Sequence, residues 1–488
     1  MGQVVPVLQI EDIQGIVLFG YGRLRSASFL LLRIAQPAAA KAWLGALQVR
    51  NAKFNPAETD RCINVAFTPA GLARLGLAPD LMEAFAAEFT QGMIGSEHRQ
   101  RILGDVGESH PDRWQWGGRG NPEPHVLLML YGRDDAVLAT LVGEQLAAFA
   151  GAGLELVVTL ETTWLAKGTE HFGFRDGVSR TDIEGFHAEA MPENSIAAGE
   201  FILGYLNAYG QYTQRPLLPP EQDPRGLLAP APEDAGRRDL GMNGTYLVFR
   251  QLSQDVGAFW TFMDEKTKKP DGSVDPGAQI RLAAKMVGRW PSGTPLVKAP
   301  LADDPALCDD NAFLYHRTSD PHGFSCPIGA HIRRANPRDA LDPEPGSDRS
   351  IEVGKRHRVM RRGRPYGPPV VDSMEIEDVL AHRNTPGERG IHFICFNTHI
   401  GRQFEFIQHT WLNNPKFDGL YEDDDPLVGD RGGTHVKPGG AFTVQAEPVR
   451  TRVTGMPRFS EVRGGGYFFM PGIRAVRFLA SLPARPKP

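Results

Sequence analysis

The stretches FLLLRIAQPAAAKAWL (29–44) and YLVFRQLSQDVGAFW (246–260) decide how this chain folds, because they are two versions of one pattern. Each opens on four apolar or aromatic residues closed by an arginine. Each then runs into a helix-like stretch whose tryptophan, Trp43 or Trp260, stands ten residues after that arginine. A second pair repeats the arrangement: HVLLMLYG (125–132) and HFICFN (392–397) are short buried-strand runs, followed by segments of helical period at 134–150 and 400–411. Strand then helix, twice in each half, predicts an internal duplication. Short strands with helices on one side of an antiparallel sheet give an α+β fold built of two ferredoxin-like domains.

The length of 488 residues agrees, since a chain this long exceeds what one core usually organises. Six prolines fall between Pro216 and Pro232, followed by the charged run EDAGRRD (233–239). This predicts an irregular interdomain loop around 213–240. The expected domains are 1–238, carrying one strand–helix set, and 239–488, carrying the other. Long polar stretches such as 264–277 and 342–350 read as loops on that scaffold.

Composition narrows the function. The hydrophobic fraction of 41% excludes a disordered chain, and 53 basic against 58 acidic residues, a net charge of −5, gives no reason to expect nucleic acid or an anionic membrane as partner. The four cysteines (62, 308, 326, 395) form no CxxC, so neither structural zinc nor covalent CxxCH haem attachment is supported. The opening MGQVVPVLQIEDIQ lacks a basic region, and the apolar stretch 136–154 is broken by Glu144. These features predict a cytoplasmic protein with no membrane span. GxxxxGK[ST], HExxH and GxSxG are absent, and the glycines of GGRG (117–120), RGGTH (431–435) and RGGGY (463–467) read as turns needing positive φ.

Three motifs remain: HFGFRDGVSR (171–180), CPIGAHIRRANPR (326–338) and RVMRRGRPYG (358–367). In this order, with DIQGIVLFGYG (12–22), GRQFEFIQHTWLNN (401–414) and RGGGYFFMPG (463–472), the chain resembles the dye-decolourising peroxidases, in their long-chain branch, over almost its whole length. The resemblance implies two ferredoxin-like domains and a non-covalent haem b. His331 of GAHIRR is then the proximal iron ligand. Arg333 and Arg334 are candidates to pair with haem propionates, bidentately as guanidinium and carboxylate do, with the choice between them open.

By the same resemblance Asp176, in the arrangement Gly173, Asp176, Gly177, is the distal acid and base; a turn aspartate is the alternative for an Asp beside Gly. Its use in place of a histidine predicts a preference for acidic conditions, because an Asp pKa starts about 2.6 units lower. Arg361 matches the distal arginine, which stabilises charge on the breaking O–O bond; Arg358 and Arg362 are the neighbours most easily confused with it. Period two along 390–396 puts Ile391, Phe393 and Cys395 on one face, and the resemblance makes Ile391 and Phe393 walls of the distal pocket. Asp425 resembles the acid bonded to the proximal imidazole, with Glu405 as rival.

The expected activity is a haem peroxidase using H₂O₂ to oxidise phenols, dyes and related aromatic donors through an oxoferryl intermediate. A deferrochelatase-like haem-handling enzyme and a non-catalytic haem-binding module are the alternatives. The paired expectation of Asp176 with Arg361 separates them, since a binder has no need of either. A homo-oligomer is left open.

Overall fold

The computed structural model describes residues 6–179, 181–187, 191–318, 320–430 and 439–483. The RGGTH glycines at 431–435 and Arg180, which closes the first motif, lie outside the described residues.

The first half runs β1 (Ser26–Ile34), α1 (Pro37–Ala46), β2 (Arg61–Phe67), β3 (Val126–Gly132), α2 (Asp135–Ala152) and β4 (Leu154–Glu161). The strands lie in the order β2-β3-β1-β4, all antiparallel. The second half repeats this with β5 (Thr245–Gln254), α3 (Val256–Thr267), the short strands β6 (Met360–Arg361) and β7 (Arg364–Tyr366), β8 (Gly390–Asn397) and β9 (Ser460–Met470). Here β6 and β7 both pair with β8, followed by β5 and β9. Each half is therefore an α+β ferredoxin-like unit. The two sheets join edge to edge into one of nine strands, where Phe469 of β9 registers with Phe67 of β2.

Local chemistry sets these elements. Pro37 occupies the first turn of α1, where its missing N–H costs nothing. Asp134 and Asp255 cap α2 and α3, their side chains accepting from the N–H of Val137 and of Ala258, and Gly153 ends α2 at φ +59°. The inner strands β2, β3 and most of β1 and β5 are buried on both faces, which is why they read as continuous apolar runs instead of alternating ones. Leu30, Leu32, Tyr246 and Val248 pack under the helices, while Phe29, Leu31, Leu247 and Phe249 pack under the N-terminal segment and the loops around 183–202. Trp260 is fully buried, and Trp43 packs edge-on against Phe149 at 6.3 Å.

Three expectations are corrected. The 213–240 region is not wholly irregular: Leu217–Leu218, Pro230–Ala231 and Asp234–Asp239 form a small sheet, so the expected boundary at 238/239 cuts a strand. Pro230 is tolerated because its strand is at the edge. The RGGGY glycines are not turns but part of β9, and none of the three has positive φ. They make room: a Cβ on Gly464 would stand 2.4 Å from the Trp116 indole nitrogen. The segment 400–411 is helical as expected, but as π-helical turns over Gly401–Glu405 and Ile407–Leu412.

Candidate active site

His331 opens the short helix His331–Ala335. Its Nδ1 lies 3.0 and 3.1 Å from the two carboxylate oxygens of Asp425, 94 residues away. Asp425 is wholly buried, and one of its oxygens also accepts the N–H groups of Leu427 and Val428 at 3.0 and 2.9 Å. Burial acts to raise this carboxyl, but the His331 imidazole, Arg334 and the backbone donors outweigh it and hold the pKa below the usual carboxylate value. Asp425 is thus the acid on His331. Its rival Glu405 is engaged elsewhere, by Arg99 and by the Tyr467 hydroxyl at 2.7 Å.

The carboxylate fixes the imidazole tautomer, with the proton on Nδ1. Nε2 makes no hydrogen bond to any described residue, and the side chain keeps 26% of its surface exposed. A buried carboxylate bracing an imidazole whose other nitrogen has no partner among the described residues is a donor set that would suit a metal such as haem iron.

One oxygen of Asp176 meets Nη1 of Arg361 at 3.2 Å. The same oxygen accepts the Gly177 N–H at 2.6 Å, while the Asp176 N–H donates to the Gly168 carbonyl at 3.0 Å. Both side chains are nearly half exposed. The fold separates Arg361 from its neighbours by strand alternation. Arg361 registers with Cys395 on β8, on the face shared with Phe393 and Ile391. Arg362 turns the other way and donates to the carbonyls of Ile16, Val17 and Leu18. Arg358 donates to Asn336 Oδ1 and Thr181 Oγ1; burial, with Arg338 and Arg361 nearby, lowers its pKa to about 9.

Phe393 and Ile391 are half-buried, and Phe393 leans over Phe404 at 6.2 Å between centroids. The structure therefore brings both to the face that carries Arg361.

Arg333 and Arg334 are a correction. Both are fully buried. Arg333 donates to Asp320, to the carbonyls of Pro321 and Cys326, and lies over the Tyr315 ring at 4.4 Å. Arg334 donates to the carbonyls of Gly329, Trp411, Asn414 and Asp423. Both guanidinium groups are enclosed by the loops that carry His331 and Asp425, so neither is available to a propionate. Sequence reasoning also missed Glu170, six residues before Asp176, which accepts backbone N–H groups of the same hairpin.

No family model matches the chain. It is 29% identical over 450 residues to a dye-decolorizing peroxidase of Mycena epipterygia, spanning 86% of this chain and 76% of that one. A solved dye-decolorizing peroxidase whose heme pocket was engineered for asymmetric sulfoxidation superposes with a TM-score of 0.77 at 26% identity, over 97% of this chain and all of that one. The chain is thus similar, in sequence and in fold and over nearly its whole length, to the dye-decolourising peroxidases. A further dye-decolourising peroxidase, solved in complex with 2,6-dimethoxyphenol, superposes with a TM-score of 0.75 at 25% identity over 97% of this chain and 100% of that one. Such coverage leaves no large part of the chain outside the shared peroxidase fold. Among the described residues no helix is long and apolar enough to cross a membrane.

Proposed function

We propose that this chain is a dye-decolourising peroxidase that binds haem b non-covalently through His331 and reduces H₂O₂ at the Asp176–Arg361 pair, at the expense of phenols and related aromatic donors. The observation that carries the reading is that pair: an acid and a fixed cation, 185 residues apart in sequence, meet at 3.2 Å. Haem, when bound, supplies the redox centre that accepts oxidising equivalents from peroxide and passes them to the reducing substrate one electron at a time.

The chain's own residues do the rest. Asp176 takes the proton from one oxygen of H₂O₂ and returns it to the other, which leaves as water. Arg361 neutralises the charge that develops on the departing oxygen, and its donors are held in place beforehand by pairing with Asp176. Asp425 keeps the His331 proton on Nδ1 and makes Nε2 the more basic donor. Ile391 and Phe393 limit the space beside Arg361 to small oxidants, so large aromatics give up electrons from outside it. With Arg333 and Arg334 fully enclosed, Arg358, which keeps part of its surface exposed and has no acidic hydrogen-bond partner, is the guanidinium left for a propionate. A cytoplasmic location belongs to the same reading of the sequence.

The test is rapid mixing of hemin-loaded protein with one equivalent of H₂O₂, followed in the Soret region. Wild type should bleach and recover when a phenol is added. Asp176→Asn and Arg361→Leu should take up hemin normally but react with peroxide about 10²- to 10⁴-fold more slowly. Wild-type rates in both variants would remove the Asp176–Arg361 pair from the peroxide reaction, and no peroxide reaction in wild type would leave a haem-binding protein.

A further inference from the structure

Residues 169–176 form a tight hairpin that ends on Asp176. Thr169 and Arg175 bridge it, the Glu170 N–H donates to the Phe174 carbonyl at 2.8 Å, and the Gly173 N–H returns to the Glu170 carbonyl at 3.0 Å. Gly173 turns the chain at φ +96°, and a Cβ there would stand 2.9 Å from Ile376 Cδ1. Phe172 stacks on Phe259 at 4.4 Å and its carbonyl accepts the Trp260 Nε1–H at 3.1 Å, seating the hairpin on α3.

The Glu170 carboxylate closes the hairpin from within. One oxygen accepts the Phe172 N–H and the other the Phe174 N–H, each at 2.9 Å, while Gln254 at the end of β5 donates from Nε2 at 2.6 Å. No cation pairs with it among the described residues. Burial, opposed by these three donors and assisted by the Asp176 charge, pushes its pKa up to about 7. A carboxyl with three hydrogen-bond donors and no compensating cation among the described residues is there for what it accepts.

We infer that Glu170 is a positioning residue for Asp176: by accepting the Phe172 and Phe174 amides and tying them to β5, it holds the hairpin in the register that brings Asp176 to Arg361. The inference rests on the role proposed above for Asp176. Glutamine at 170 keeps the volume but turns an NH₂ toward one of the two loop amides, donor against donor.

The experiment compares hemin-loaded wild type, Glu170→Gln, Asp176→Asn and the double variant by the second-order rate with H₂O₂ and by steady-state kcat/KM for peroxide and for a phenol. Glu170→Gln should slow the peroxide reaction about tenfold to a hundredfold. Haem content and kcat/KM for the phenol should hold, and the double variant should be no slower than Asp176→Asn alone. A wild-type peroxide rate in Glu170→Gln, or a further additive loss in the double variant, overturns the inference. A wild-type rate in Asp176→Asn overturns the proposed role of Asp176 and this inference with it. Hydrogen exchange of the Phe172 and Phe174 amides needs no turnover. Faster exchange there in Glu170→Gln, with β8 amides unchanged, supports the inference, and unchanged protection sinks it.

Discussion

Asp425 shows how a single buried carboxylate is made affordable: four hydrogen-bonding contacts, two of them to backbone N–H groups, replace the water it gives up. Its neutral isostere still accepts from His331 Nδ1 but lacks the charge that makes the imidazole basic. Asp425→Asn is therefore expected to weaken hemin binding about tenfold to a hundredfold in a Soret titration, with His331→Ala losing the titratable Soret band altogether. An unchanged affinity in both would remove His331 from the site. The buried arginines make a contrasting prediction. Arg334→Met strips the donor from four enclosed carbonyls, each worth about 1–3 kcal/mol when left unsatisfied. Urea unfolding should show a loss of several kcal/mol, while hemin affinity per folded molecule stays as in wild type. A selective loss of hemin affinity would instead restore the propionate role. Which of Arg358, Arg361 and Arg362 faces Asp176 was not legible in the basic run, because the answer depends on the alternation of a two-residue strand paired to β8.

At the scale of elements, the distal hairpin belongs to the first half of the chain but rests on the second, through Phe172 on Phe259 and Phe174 stacked with Trp260 at 6.3 Å. The footing of the hairpin is thus only as firm as α3. Asp255 caps that helix, its side chain accepting the Ala258 N–H at 2.8 Å. Asp255→Ala should cost about 1 kcal/mol, seen as a lowered urea midpoint, with the peroxide rate at neutral pH little changed while the helix remains folded. A loss of the peroxide rate without a loss of stability would mean that Asp255 acts on the site directly. The strands and helices themselves were legible from their apolar runs. The π-helical form of 401–412 was not, since its i to i+5 bonding changes no residue type that the 3.6-residue pattern reads.

For the whole molecule, burial sets the response to acid. Burial lowers the pKa of His125, His171 and His392 to about 4, so the folded protein keeps all three neutral where the unfolded chain, near 6.5, already takes up protons. Their contribution is fully present above about pH 6.5. It falls by about 1.4 kcal/mol per pH unit for each histidine as the pH drops toward 4. Glu170 works the other way: its raised pKa makes the folded state the better proton binder between about 7 and 4.5, which offsets about one histidine. The urea midpoint should therefore fall from pH 7 to pH 4.5, and a flat profile contradicts the burial of these imidazoles. The acidic preference expected of a distal aspartate works against this loss, so the activity optimum should lie where the two trends cross.

The sequence by itself determined the duplicated strand–helix pattern and, through three short motifs, the resemblance to the dye-decolourising peroxidases and the candidates His331 and Asp176. These are properties of residue type and spacing, which survive without coordinates. The tertiary structure alone decided the partners. Asp425 over Glu405 on His331, the burial of Arg333 and Arg334 against carbonyls, the room the β9 glycines leave for Trp116, and the two amides held by Glu170 all depend on which loops meet. Contacts across 94 or 185 residues leave no local signature in the chain. A guanidinium enclosed among carbonyls and one left partly exposed are the same letter in the sequence, and only the packing around each tells them apart.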